Sequence, residues 1–432
     1  MKAKTNSKFW CVLTLFSLIG QIAWVVENMY LNVFIYKMFH ATPSNIATMV
    51  SASAVAATIT TILVGALSDK VGKRKIFICG GYILWGISIF AFVFIRSDVI
   101  NALFPAAVSA AAVGANLVII FDCIMTFFGS SANDAAFNAW LTDNTESSKR
   151  GVVEGINAMM PLVSILIVFG GFMAFNLDNA SSWTVIFSII GIVVTLIGIL
   201  GIFIIDDTKT VKQGEKYWSN VLYSFLPKTV LQNKALYLYL LVFTVFNISI
   251  QIFMPYLIIY YEKSLQMTNY VFIMAPAIIL ASVVTFFWGK VYDRRGIKFS
   301  SFVALIWLIL GYIVLYIFKN HLPVFIGSLF MMCGYLSGMA VFGAKIRDLI
   351  PTGKAGMFQG IRIFSQVLIP GIVGPYIGKM VLKNAETIAN NDGTTSFLPN
   401  ENIFLAALAV IILAFILIAF CTKGELKKQN VR

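Results

Sequence analysis

The chain is 432 residues long, 59% hydrophobic and 12% charged, with a mean hydropathy of +0.86. One soluble core of this length cannot hide that much apolar surface, so the composition excludes an ordinary water-soluble domain and a disordered chain. The formal net charge of +13 raises nucleic-acid binding, but the positions of the basic residues argue for a membrane instead.

A helix needs roughly 20 apolar residues to cross about 30 Å of hydrocarbon. Twelve such runs are predicted: 9–36, 45–68, 76–96, 112–139, 152–175, 183–205, 235–260, 269–289, 299–318, 323–345, 356–381 and 402–421. The expected fold is an all-α membrane protein of twelve transmembrane helices in two six-helix repeats. Its parts are an N-terminal bundle over 1–205, a linker over 206–234 and a C-terminal bundle over 235–432.

Lys2, Lys4 and Lys8 give the first run the basic start of a signal peptide. The run continues to about Tyr36 without a clean cleavage site, so it reads as a retained span. Gln21, Trp24, Glu27, Asn28, Leu31 and Asn32 recur on it at helical spacing, a polar stripe with one aromatic plate. The second run ends in Gly65-Ala66-Leu67-Ser68-Asp69-Lys70-Val71-Gly72-Lys73-Arg74. There Gly65 permits close helix contact, Asp69 offers an anion to a helix N-terminus or to Arg150, and Gly72 turns the backbone before Lys73, Arg74 and Lys75 meet anionic headgroups.

The fourth run carries Asp122 and Asp134. On a regular α-helix Ser130, Ser131, Asp134 and Asn138 share a face, while Asp122 lies nearer the outer surface. An Asp at the bilayer centre costs about 2.5–3.5 kcal/mol even on a lenient scale, so Glu27 and Asp134 are the leading functional acids. Glu154, opening the fifth span, reads as a partner for Arg150. Asn179-Ala180-Ser181 is a sequon on the outer side. The linker from Asp206 to Lys234 holds a short amphipathic piece from Tyr217 to Leu226, suited to the headgroup layer.

The seventh run places Asn247 and Gln251 one turn apart ahead of Pro255, a candidate kink. Gln21, Asn28, Asn138, Asn247 and Gln251 fit substrate contact and interhelical hydrogen bonding equally well. Gly289-Lys290-Val291-Tyr292-Asp293-Arg294-Arg295-Gly296-Ile297-Lys298 then repeats the earlier loop, and the stretch from Asp143 to Ile156 aligns without a gap on Asp348 to Ile361. Two matches in the same order indicate two related halves, as in transporters built from internal repeats. Arg362 in the eleventh run can snorkel to the interface, and the outer loop from Lys383 to Glu401 reads as flexible and solvated.

With the N-terminus placed in the cytoplasm, Lys37, Arg96, Lys263, Lys319, Lys379 and Lys383 are the basic residues in outer segments, Arg362 lies within a span, and the rest of the 32 Lys and Arg face inward. That is the positive-inside pattern with both termini cytoplasmic. Cys11, Cys79, Cys123, Cys333 and Cys421 have no paired spacing and read as free thiols. His40 and His321 sit at outer helix ends. No HExxH, P-loop or GxSxG appears, so no enzyme activity, metal or cofactor is expected.

The loop Gly-x-x-x-Asp-(Lys/Arg)-x-Gly, present at Gly65, Asp69 and Gly72 and echoed at Gly289, Asp293, Arg294 and Gly296, resembles the signature loop of the major facilitator superfamily. The resemblance extends to Lys149-Arg150-Gly151 and to the six-plus-six plan. It implies that Gly65, Asp69, Gly72, Lys73, Arg74 and Arg150, with Gly289, Asp293, Arg294 and Gly296, form an inner gate, and that spans one, four, seven and ten line a cavity. The stretch from Ser130 to Asp143 is faintly similar to cation-coupled glycoside symporters. Span five lacks the Gly-Pro pair of drug/proton antiporters, which stands instead at Gly374-Pro375 in span eleven.

The expected function is secondary active transport of a small polar solute, a sugar or related metabolite, by alternating access. Coupling to H⁺, Na⁺ or another cation is expected, with Gln21, Trp24, Glu27, Asn28, Asp134, Asn138, Asn247 and Gln251 in the substrate or coupling-ion cavity. The alternatives are a drug or metabolite exporter and a non-transporting sensor on the same fold. The protein is expected in the cell membrane as a monomer, without nucleic acid. Reporters fused after residues 40, 178 or 392 should therefore report the outer side, and those after 72, 148, 215, 294, 353 or 428 the cytoplasm; reversed sides at more than one site would overturn the topology.

Overall fold

The computed structural model describes residues 7–105, 109–145, 149–206, 222–351, 355–390 and 394–429. Among these, ten helices are long and apolar enough to cross a membrane. We label the long helices α1 (Ser7–Phe39), α2 (Pro43–Val71), α3 (Arg74–Phe94), α4 (Ala110–Asn144), α5 (Arg150–Phe172), α6 (Ala180–Ile204), α7 (Lys234–Ser264), α8 (Val271–Ile317), α9 (His321–Leu349), α10 (Gly360–Asn384) and α11 (Asn402–Gln429). The described part of α5 offers a shorter apolar stretch, Met159–Phe172.

Local chemistry sets the ends. His40 stops α1 in a left-handed conformation (φ 48°), and Thr42 with Asn45 forms a capping box ahead of Pro43, which starts α2. Gly72 (φ 69°) ends α2. At 47 residues, α8 would be about 70 Å long if straight, over twice the hydrocarbon thickness. Gly296 (φ 72°) breaks it, and a side chain there would be strained.

The chain divides into two compact units, Met1–Trp218 and Ser219–Arg432. In the first, α1 packs on α5 and α6, α2 on α4, and α3 on α4 and α6. In the second, α7 packs on α10 and α11, and α8 on α9 and α11. Counting the two arms of α8 as successive helices gives both units the same pairing scheme. Small residues allow the closest crossings. A Cβ on Gly86 of α3 would lie 2.5 Å from the Gly191 carbonyl oxygen of α6, and one on Gly311 of α8 would lie 2.5 Å from the Met331 nitrogen of α9. Backbones approach this closely where bilayer helices associate by van der Waals packing.

The segment expected to be a solvated outer loop is partly ordered. Thr387–Ala389 and Thr395–Phe397 pair as an antiparallel ribbon, and Phe397 is buried with its ring against Tyr256. Phe397 and the Asn390 amide, which donates to Thr394 and Ser396, hold the ribbon, and the polar run at 390–395 concealed this. Of the linker proposed over 206–234, residues 207–221 lie outside the described residues, and Pro227–Gln232 forms a short helix.

The repeated loops are tied down differently from the expectation. The Asp69 and Arg150 side chains lie outside what the structure describes, so their expected contact is left there. Arg74, 7% exposed, donates from Nε to Asp143 Oδ2 (2.8 Å) and from Nη1 to Ser68 Oγ (2.8 Å). It therefore links the end of α2 to the end of α4 and is no headgroup contact. In the second unit Tyr292, at the position equivalent to Ser68, donates to Asp348 Oδ2 at 2.7 Å, and Asp348 is the equivalent of Asp143. Lys73, Asp293 and Arg294 are exposed, and nothing lies within 4 Å of a Cβ built on Gly289.

The first link pairs two charges around a buried guanidinium, whereas the second is a single hydroxyl-to-carboxylate bond. Asp143→Asn should destabilise the purified protein by about 1–3 kcal/mol, because the buried Arg74 keeps its charge and loses the Asp143 carboxylate. Asp348→Asn should cost less. Thermal melting of both variants in one detergent checks this, and an equal or larger loss at Asp348 would contradict it.

Candidate functional site

The candidate acids sit where helices depart from α geometry. In α1 the turn Val26–Tyr30 is π-helical, with the Leu31 N–H bonded to the Val26 carbonyl. In α4 the π segment is Ser130–Phe137. Glu27 lies in the first and Asp134 in the second. A π turn inserts a residue into the helical register and swings its side chains round, and such turns concentrate at functional sites.

Small residues make room for the wider turn of α4. A Cβ on Gly81 of α3 would lie 2.6 Å from the Ala132 Cβ, and one on Gly129 would lie 2.6 Å from the Trp85 ring. Asn133, inside the π segment, donates to the Tyr82 hydroxyl (2.7 Å), which donates to the Phe16 carbonyl (2.7 Å). Gly20 leaves space for this amide, since its Cβ would lie 2.3 Å from Asn133 Nδ2. A buried polar relay thus pins α4, α3 and α1 together just below the acids.

Glu27 is 7% exposed. Its Oε1 accepts from Ser53 Oγ of α2 (3.0 Å) and Thr126 Oγ1 of α4 (2.7 Å), and the two hydroxyl oxygens are 2.7 Å apart. Oε2 is buried with no hydrogen-bond partner among the described residues. Asp134 accepts from Ser130 Oγ at 3.0 Å and lies within electrostatic reach of Glu27 and of Tyr82. Three helices of the first unit therefore converge on Glu27, and no cation meets it among the described residues.

The remaining candidates separate. Trp24 is half-buried with its ring 5.0 Å from that of Trp85, and Gln21 is half-buried. Asn28 and Asn138 are exposed and donate to carbonyls of their own helices, Trp24 and Asp134. Asn138 thus stays on the turn of Asp134, whose carboxylate also accepts from Ser130, while Ser131 turns back to the Phe127 carbonyl (2.6 Å). Asn247 is buried and donates to the Phe243 carbonyl at 2.7 Å. Gln251 packs closely on α10, where a Cβ on Gly374 would lie 2.5 Å from its own Cβ. The 3-10 turn Met254–Tyr256 contains Pro255, the expected kink.

Ser53 and Thr126 escaped the sequence reading, since lone hydroxyls carry no charge signal. Thr126 stands four residues after Asp122, which would have placed both on one face. A cavity lined by Phe34, Met38, Phe92, Arg96 and Trp183 contains none of the candidates. Among the described residues no cluster of His, Cys, Asp and Glu suits a metal ion, and none of the five cysteines is in a disulfide.

Several solved structures share this fold. A variant of the nucleoside transporter NupG superposes with a TM-score of 0.73 at 12% identity, covering 96% of this chain and 99% of that one. A bacterial homolog of the human lysosomal transporter Spinster, inward-facing and unoccupied, gives a TM-score of 0.70 at 14% identity, covering 96% of this chain and 97% of that one. At these identities the likeness speaks for the fold alone. No curated protein matches the sequence. The family model described as Major Facilitator Superfamily matches residues 9–375, most of the chain. This integral multi-pass membrane protein belongs to the Major Facilitator Superfamily.

Proposed function

We propose that the protein is a secondary active transporter that moves a small polar solute, a sugar or related hydroxylated metabolite, across the cell membrane by alternating access. In this reading it works as a monomer of twelve spans with both termini in the cytoplasm, and uptake is coupled to H⁺ or another cation through Glu27 and Asp134. The observation that carries the reading is the placement of both acids in π-helical turns of α1 and α4, without a paired cation among the described residues. An ionisable group held this way in a membrane is expensive to keep charged, which suits a site that must gain and lose a cation during each cycle.

The neighbouring residues support a division of labour. Trp24 offers a flat apolar face beside the acids, as a sugar ring or a nucleoside base would use. Gln21, Asn28 and Asn138 offer amides on the same two helices. A nucleoside belongs in the substrate panel because it joins a hydroxylated ring to a base.

A thermal-shift screen of the purified protein against sugars, nucleosides, organic acids and cationic drugs identifies the solute class, since a ligand that binds the folded state raises its apparent stability. With that solute, Glu27→Gln and Asp134→Asn should each bring ion-driven accumulation in proteoliposomes down to the equilibrium level while downhill exchange continues. Uphill accumulation by both variants would remove the two acids from coupling. Binding without flux in the wild type would replace transport by sensing.

A further inference from the structure

The mechanism above leaves Asp122 idle. This residue is 2% exposed, on the face of α4 that carries Thr126 one turn further on. Its Oδ1, like Glu27 Oε2, is buried with no hydrogen-bond partner among the described residues. Asp122 and Glu27 lie within electrostatic reach of each other, and the Ser53 hydroxyl that serves Glu27 also reaches Asp122. Neither carboxyl forms an ion pair among the described residues.

Counting hydrogens narrows what the cluster holds. Ser53 and Thr126 bring one hydroxyl hydrogen each, and those two hydrogens are shared among Glu27 Oε1, the contact between the two hydroxyls and Asp122. None is left for Glu27 Oε2 or Asp122 Oδ1. Two ionised carboxylates here would be like charges out of water with no counter-ion. A single added proton supplies the missing donor and removes the repulsion.

We propose that Glu27 and Asp122 form one acidic pair holding a single shared proton, with Ser53 and Thr126 as its positioning residues. This rests on the reading of Glu27 as a coupling acid. Hydronium on one side gives its proton to the pair and leaves as water, and the pair returns the proton to water on the other side. The titratable groups facing the pair are Cys123 beside Asp122 on α4 and Asp134 further along it. From α2 the neighbour is the Ser53 hydroxyl, and Tyr82 of α3 faces Asp134.

Infrared difference spectroscopy of the protonated-carboxyl band, recorded as pH is stepped on the purified full-length protein without solute, tests this. Coupled acids titrate in two steps more than about one pH unit apart. The wild type and Asp134→Asn should both show the two paired steps, while in Glu27→Gln and Asp122→Asn the one acid of the pair that remains should titrate at a pH shifted from either of them. A Glu27 step that is the same with and without Asp122 would overturn the pair. A titration displaced when NaCl replaces choline chloride would overturn the proton as its occupant. Should Asp122→Asn fail to fold, Ser53→Ala and Thr126→Val serve instead: each should move the paired steps by about one pH unit, and unmoved steps would overturn the pair. Because no solute is present, absence of flux in a protein that titrates as stated would sink the transport reading alone, and uphill transport with independent titrations would sink the pair alone.

Discussion

The organisation of the first unit follows from one constraint, that a carboxylate placed in the membrane needs either a counter-charge or hydrogen-bond donors. Glu27 receives hydroxyls from α2 and α4 at one oxygen, and the other has no hydrogen-bond partner among the described residues. Holding it there takes a wider turn in α1, a matching π segment in α4 and small residues on α3 that let the swollen helix in. The polar relay from Asn133 through Tyr82 to the Phe16 carbonyl locks the arrangement from below. Stability alone would be served better by apolar side chains in these places.

The two units solve their packing problem alike and their chemistry differently. Both pair helices in the same order and bring backbones together over glycines. Both tie the end of their second helix to an Asp at the end of their fourth, through Arg74 in one and Tyr292 in the other. Among the described residues, however, the buried acids belong to the first unit, while the second buries tyrosines such as Tyr256, Tyr260 and Tyr312. A duplicated scaffold thus carries unlike interiors.

Much of this was legible in the residues. The apolar runs gave the helices because bilayer thickness fixes their length, and the repeated loops gave the two halves. Glu27 and Asp134 stood out because charge is rare in such runs. Geometry that depends on the backbone was hidden: helical spacing put Ser130, Asp134 and Asn138 on one face but gave no sign of the π segment Ser130–Phe137. Asp122 looked peripheral by its depth along the span, yet its turn-mate Thr126 brings it to Glu27. Arg74 read as a headgroup contact because it sits in a basic cluster, whereas its guanidinium is buried against Asp143.

The central claim is that the acids gathered around Glu27 carry the coupling charge. Recording the transient current that follows a pH jump across protein-bearing membranes, with no solute present, tests it most directly. The account predicts a charge displacement in the wild type that disappears in Glu27→Gln while the variant keeps its fold. A displacement of unchanged size in that variant would contradict it.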